Sequence, residues 1–278
     1  SVGAFTNIVL DAIFVAGLNL GVEGAGWATV IGQCLSAAFG VCLVFRGKVN
    51  VKIRKKIFSL DRDLWPKIVS CGFAFWVAQM AMGFIALIYN GQLGKYGGDA
   101  AISVYAVVSS IMTFVIMPAS GISQGIQPIV GNNFGAGHYN RVMETLFKGT
   151  MLSVGVTCII WLITLFFPKQ ILLAFGATDE MLSIGIPGLR INFCITPILG
   201  FVMLATTFFQ SIGKPIPSIL ITVLRQIVFL IPLIYLFPLV GGTNGIFWAQ
   251  PVSDFLALLI SVALVVRQKR TLRHKTIS

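Results

Sequence analysis

Asp11 makes the clearest chemical demand in this chain: it is a carboxylate set in the apolar run FTNIVLDAIFVAG. At the centre of a membrane-crossing helix a charged side chain costs about 2.5–3.5 kcal/mol on insertion scales, so such residues face a cavity or a partner and mark ion or substrate paths. Asn7 stands one turn earlier on the same helix face. If the next turn is centred near Leu20, Asp11 and Thr29 each lie nine residues from it. That is a depth of roughly 13 Å at a rise of 1.5 Å per residue. Three oxygen-bearing side chains therefore share one level. Oxygen ligands suit a hard cation such as Na⁺, and a carboxylate taken out of water can hold a proton instead. A structural, hydrogen-bonded Asp is the plainer alternative.

A second acid, Asp254, also falls within an apolar run, and so do Arg190 and Arg225. Counted from the helix ends, Asp254 lies at the depth of Arg190, with Arg225 a few Å lower and within reach of a long side chain. The pattern fits a structural ion pair. Alternatively, Asp254 is an electronegative feature of a substrate cavity to which Gln79, Asn192 and the aromatics Phe75, Trp76 and Tyr89 contribute.

The elements that must position these residues are membrane helices. Apolar residues make up 56% of the chain and charged residues 10%, against roughly 45–50% and 25% in soluble domains. A mean hydropathy of +0.91 requires many apolar segments rather than one anchor. Spans are expected at about 1–18, 22–45, 66–90, 100–120, 146–167, 181–209, 217–240 and 245–267, giving an all-α, multi-pass protein of about eight helices. The five cysteines lie in apolar stretches without paired spacing, and the two histidines lie beside loops. No metal, disulfide or nucleophile–base constellation is implied, so an enzyme is not expected.

The net charge of +11 sits in segments flanking the spans, which speaks against nucleic acid as a partner. Lys and Arg crowd the 46–67 connector (Arg46 to Lys67), recur at Arg141, Lys148 and Lys214, and return from Arg267 to Lys275. The opposite connectors hold only Lys95 and Lys169, beside Asp99, Asp179 and Glu180. The basic side is cytoplasmic by the positive-inside rule, and the C-terminus with it.

Shifted by 221 positions, residues 7–46 align with 228–267 without a gap: Gly21 with Gly242, Gly24 with Gly245, Trp27 with Trp248, Ala28 with Ala249 and Arg46 with Arg267. The repeat divides the chain into the last two helices of a first lobe (1–46), a basic cytoplasmic linker (47–65) and a complete second six-helix lobe (66–278). The sequence opens at Ser1 with no initiator Met or basic flank. It is therefore expected to start inside a helix, N-terminally truncated, with the first repeat beginning roughly 160 residues earlier.

Four segments carry a family resemblance: GISQGIQPIVGNNFGAGHYNRV at 121–142, FFQSIGKP at 208–215, NIVLDAIF at 7–14 and GVEGAGWAT at 21–29. Together they resemble the multidrug and toxic compound extrusion (MATE) transporters, over a length corresponding to the family's fifth to twelfth helices. Within the first of them, Gly131, Gly135 and Gly137 are expected to let the chain leave its helix, and Gly121 and Gly125 to let helices approach closely. The resemblance implies a monomeric plasma-membrane antiporter without a cofactor. It would export cationic or amphipathic drugs or toxic metabolites in exchange for H⁺ or Na⁺. In the family an Asn and an Asp on the fifth helix and a Thr on the sixth form a first-lobe coupling site, matched here by Asn7, Asp11 and Thr29. The family's further Asp, on its first helix, lies outside this sequence. The repeat partners of the three are Val228, Pro232 and Gln250, and where some members carry second-lobe acids this chain has Gln79 and Asn192. Coupling is thus expected in the first lobe. A lipid-linked oligosaccharide flippase of the same superfamily and a non-transport membrane protein are the alternatives. The flippase would need a cationic cavity for phosphates.

Overall fold

The computed structural model describes residues 2–18, 20–45 and 65–277, apart from the side chains of 65–79, 81, 273–277 and a few others. Every regular element among the described residues is helical. The basic connector at 46–64 lies outside them. The chain divides into two compact units, Ser1–Phe73 and Ala74–Ser278.

In the first unit, α1 (Val2–Asp11) continues as a π-helical segment, Ala12–Gly17, and a tight turn leads into α2 (Gly21–Phe45). The turn needs a left-handed residue, and Gly21 supplies it with φ 53°. The two helices then run together closely, because Gly3 and Gly32 face each other: a Cβ on Gly32 would lie 2.9 Å from the Gly3 carbonyl oxygen.

Helix α3 (Trp65–Gly135), most of which belongs to the second unit, is two helices joined at Gly98, where φ is 62° and ψ −163°. It is followed by α4 (Tyr139–Phe166), α5 (Pro168–Ala174), α6 (Asp179–Asn192) and α7 (Thr196–Ser211). The Thr178 hydroxyl accepts the Met181 N–H to cap α6, with Asp179 and Glu180 in its first turn. The segment expected as a single span at 181–209 is broken between Asn192 and Thr196 and bent by 47°. Pro197 opens α7 there, its missing N–H tolerated in a first turn.

The FFQSIGKP segment is a helix stop and start. Gly213 (φ 71°) and Lys214 return their N–H groups to the carbonyls of Gln210 and Phe209, and Pro215 begins α8 (Pro215–Val223). A π-helical segment, Leu224–Leu230, leads to α9 (Ile231–Leu236), where Pro232 has no N–H to offer the preceding turn. The last element, α10 (Pro238–Ile277), is continuous but for a break at Gly242 (φ 55°).

The expectation for the GNNFGAG segment needs correction. Helix α3 runs through Gly131 to Gly135, and only Gly137 (φ 76°) leaves helical geometry. Gly121 and Gly125 have open space where a Cβ would stand, so they do not bring helices together among the described residues.

Among the described residues five helices are long and apolar enough to cross a membrane, or six if the bent pair counts as one span; Gly3–Val15 is shorter. Large apolar side chains such as Phe84, Phe114, Phe147 and Phe166 stand exposed, as helices solvated by lipid require. Buried apolar residues form two clusters in the second unit. One surrounds Tyr89, Leu189, Phe193, Ile234 and Phe247, the other Val142, Leu204, Phe208 and Phe209. The breaks at Gly98 and Gly242 lie close together. The Thr243 hydroxyl donates to the Tyr96 carbonyl at 3.1 Å, seated against Gly97, where an added Cβ would meet it at 2.9 Å.

Candidate functional site

In the first unit Asn7, Asp11 and Thr29 meet between α1 and α2. Gly32 makes this meeting geometrically available, since a Cβ there would fall 3.1 Å from the Asn7 Cβ. Thr29 turns its hydroxyl back to the Ala25 carbonyl at 2.9 Å. Its lone pairs are left to receive the Asn7 amide, 3.3 Å away. Turned over, the same amide accepts from the Thr29 backbone N–H at 3.2 Å and donates to Asp11 Oδ2 at 3.3 Å, satisfying both of its ends. Asp11 Oδ1, shielded from solvent, has no hydrogen-bond partner among the described residues. The result is a half-buried carboxylate held on one oxygen and open on the other, where the helix passes from α to π geometry. Such π turns often collect at functional positions.

In the second unit Asp254, 3% exposed, is paired. Arg225 Nη1 donates to its Oδ1 at 2.9 Å, and Gln250, one turn away on α10, donates to both oxygens at 3.1 and 3.2 Å. Ser253 in turn donates to the backbone carbonyl of Arg225, within the π-helical Leu224–Leu230 segment. The partner is Arg225 rather than Arg190, which lies exposed on α6. A residue count gives depth along a helix but not the direction in which a side chain leaves it.

A cavity of about 330 Å³ opens beside this pair, lined by α3, α6, α7, the π-helical segment Leu224–Leu230 and α10. Asn192 and Tyr89 line it, as do Arg225 and Gln250. Asp254 stands behind the last two rather than in the wall. The side chains of Gln79, Phe75 and Trp76 lie outside the described residues. Tyr105, Ser109, Gln226 and the methionines Met82, Met112 and Met203 are lining residues that sequence reading did not single out. The four-residue spacing of Gln250 and Asp254, one helix face, was the available signal for Gln250.

The family model MatE matches residues 75–236, more than half of the chain. Multidrug export protein MepA of Staphylococcus aureus (strain bovine RF122 / ET3-1) is 24% identical over 260 residues, covering 93% of this chain and 57% of that protein. The solved structure of the MATE multidrug transporter DinF-BH is 34% identical, with a TM-score of 0.81, over 96% of this chain and 60% of that one. An outward-facing multidrug resistance MATE family transporter of the MOP superfamily shares the fold at a TM-score of 0.86, with 21% identity over 98% of this chain and 62% of that one. The chain thus spans 57% of the length of the curated relatives it matches. By its helices and this match, the chain belongs to the MatE family, the multidrug and toxic compound extrusion transporters.

Proposed function

We propose that this chain forms the larger part of a secondary active antiporter. It exports cationic or amphipathic small molecules across the plasma membrane in exchange for H⁺ or Na⁺, with its C-terminus in the cytoplasm. The names of its relatives, a multidrug export protein and a multidrug transporter, support export. The observation that carries the mechanism is the open oxygen of Asp11, shielded from solvent yet unpartnered, in a cluster with Asn7 and Thr29. A buried polar atom left unpaired costs about 1–3 kcal/mol. A proton or a cation at that oxygen removes the cost, and its departure restores it. Asn7 holds the second carboxylate oxygen in place through its amide N–H, and the Thr29 hydroxyl adds an oxygen of the kind that suits a hard cation.

The substrate side is assigned to the second-unit cavity, with Asn192 in its wall and Asp254 behind Arg225 and Gln250; Gln79 keeps its proposed substrate role from the sequence alone, its side chain lying outside the described residues. A flippase for lipid diphosphates would need surplus positive charge there, whereas Arg225 is already neutralised by Asp254. The test is gradient-driven efflux by the full-length protein in proteoliposomes. Asp11→Asn, nearly isosteric and uncharged, is expected to insert and fold yet lose coupled export, because an amide neither takes up the proton nor binds Na⁺ as a carboxylate does. Full efflux by that variant would make Asp11 a purely structural residue.

A further inference from the structure

Among the described residues the wall of the second-unit cavity holds no carboxylate, yet an acid stands one layer behind it. Asp254 is buried, and the two side chains that hold it, Arg225 and Gln250, both line the cavity. The carboxylate therefore meets the cavity through a guanidinium and an amide.

These two partners are held differently. Gln250 stands one turn away on the same helix and donates to both oxygens, at 3.1 and 3.2 Å. Arg225 reaches over from the π-helical segment, and its Nη1 meets Oδ1 alone, at 2.9 Å. The backbone of Arg225 is pinned, since Ser253 donates to its carbonyl. Its side chain is 21% exposed, against 4% for Asp254. A long arm on a fixed backbone can leave Oδ1 by rotating about its own bonds, while Gln250 stays and keeps the carboxylate oriented. A buried carboxylate stripped of its cation is strongly destabilising. A second cation that arrives as the first departs avoids that state, because one charge-assisted hydrogen bond replaces another.

We propose that Asp254 is the counter-ion of a cationic substrate whose N–H donor takes the place of Arg225 Nη1 on Oδ1, so that Arg225 is a tethered competitor for the substrate's seat. The proposal rests on the assignment of this cavity as the substrate site, but not on the role of Asp11. It names the substrate class more closely: compact cations that carry their charge on N–H groups, such as protonated amines, amidines and guanidines. A quaternary ammonium or phosphonium ion has no donor to bring to Oδ1. The volume of about 330 Å³ lies at the lower end of small-molecule pockets, and Met82, Met112 and Met203 give the rest of the molecule a deformable apolar wall. The arrangement also supplies a means of release. A ligand that binds only the state with Arg225 displaced has its affinity lowered by the rarity of that state. The return of Arg225 to Asp254 then leaves the outgoing cation without a counter-charge.

The experiment is a fluorescence titration of the purified full-length protein at neutral pH with proflavine, a flat cation whose charge lies on N–H groups. Its control is 10-methyl acridine orange, the same ring with every N–H methylated. Saturable binding of proflavine, blocked by Ala86→Phe in the cavity wall, is expected. Arg225→Gln removes the competitor and should raise proflavine affinity roughly tenfold, with a smaller gain for 10-methyl acridine orange. Arg225→Lys, a cation of shorter reach, should fall between Arg225→Gln and wild type. Arg225→Met with Asp254→Leu removes seat and competitor together and should bind proflavine no more tightly than wild type. In thermal unfolding, proflavine should raise the midpoint of Arg225→Gln more than that of wild type, because there it fills an empty counter-ion place. Affinity unchanged or lowered in Arg225→Gln overturns the proposal, and so does a gain that survives in the double variant. Either outcome, with binding still blocked by Ala86→Phe, spares the cavity as a substrate site. If Arg225→Gln does not fold, Arg225→Lys decides, and an affinity no higher than wild type overturns the proposal. No saturable binding in any of these proteins, or binding untouched by Ala86→Phe, removes the substrate site itself, and with it the proposal.

Discussion

Gly21 and Gly242, 221 residues apart, both hold a positive φ that favours glycine, 53° and 55°. Each ends the turn of a helical hairpin, and the residues that follow match in environment. Ala28 and Ala249 are fully buried, and Trp27 and Trp248 are 63% and 44% exposed. Neither Gly24 nor Gly245 has room for a side chain. A Cβ on Gly24 would meet Leu20 at 2.9 Å, and one on Gly245 would overlap the Phe237 carbonyl oxygen.

Gly21→Ala and Gly242→Ala are each expected to lower stability by about 1–2 kcal/mol, the cost of a positive φ for a residue with a Cβ. Gly245→Ala should cost more, because backbone rather than a flexible side chain must yield. Thermal unfolding of the detergent-solubilised protein orders the three. Equal effects would mean that the hairpin relaxes around Gly245.

Breaking the Arg225–Asp254 pair from one side should be worse than removing it whole. Arg225→Ala leaves a buried carboxylate held only by Gln250, at an expected cost of about 3–5 kcal/mol, while Arg225→Met with Asp254→Leu should recover most of it. Folded yield and midpoint of unfolding are the measurements. A double variant no better than the single one would show that the pair is worth more than apolar packing.

Gly32→Leu tests positioning rather than chemistry. It should drive α1 from α2 at the level of Asn7 and abolish coupled export, although Asp11, Asn7 and Thr29 are all present. Thr29→Ala keeps the helices together and removes one oxygen. If the coupling ion is Na⁺, the concentration for half-maximal transport should rise about tenfold, equivalent to ~1.4 kcal/mol. Transport kinetics in proteoliposomes against the cation concentration separate the two.

The basic connector is expected on the cytoplasmic side. A cysteine at Asn50 should resist a membrane-impermeant thiol reagent in intact cells, and one at Asp179 should react. Labelling in the reverse pattern would invert the topology.

Hydropathy and the repeat made the hairpins and their glycine turns legible, because chain length across the bilayer and left-handed geometry leave direct marks in sequence. The Asp11 cluster was legible for the same reason: helix rise fixes depth, and Asn7 shares the Asp11 face. What sequence withheld was azimuth. Arg190 and Arg225 both satisfied the depth argument, and the fold chose Arg225 while leaving Arg190 exposed. The π-helical segments beside Asp11 and before Pro232 were equally hidden, since a slip in hydrogen-bond register changes no composition. Gly121 and Gly125 have the small-xxx-small spacing yet face open space, whereas Gly3 and Gly32, on different helices, make the close contact.

The seat of Thr243 on Gly97, with its bond to the Tyr96 carbonyl, has a mechanical consequence. It rivets the end of the first of α3's two helices, just before Gly98, to the start of the long helix that follows Gly242 in α10. Rods riveted at one end open like tongs, by swinging at the other. Any widening of the cavity between these helices should therefore be greatest far from Gly97, and Thr243→Val, which keeps the shape but loses the rivet's hydrogen bond, should let that fixed end gape as well.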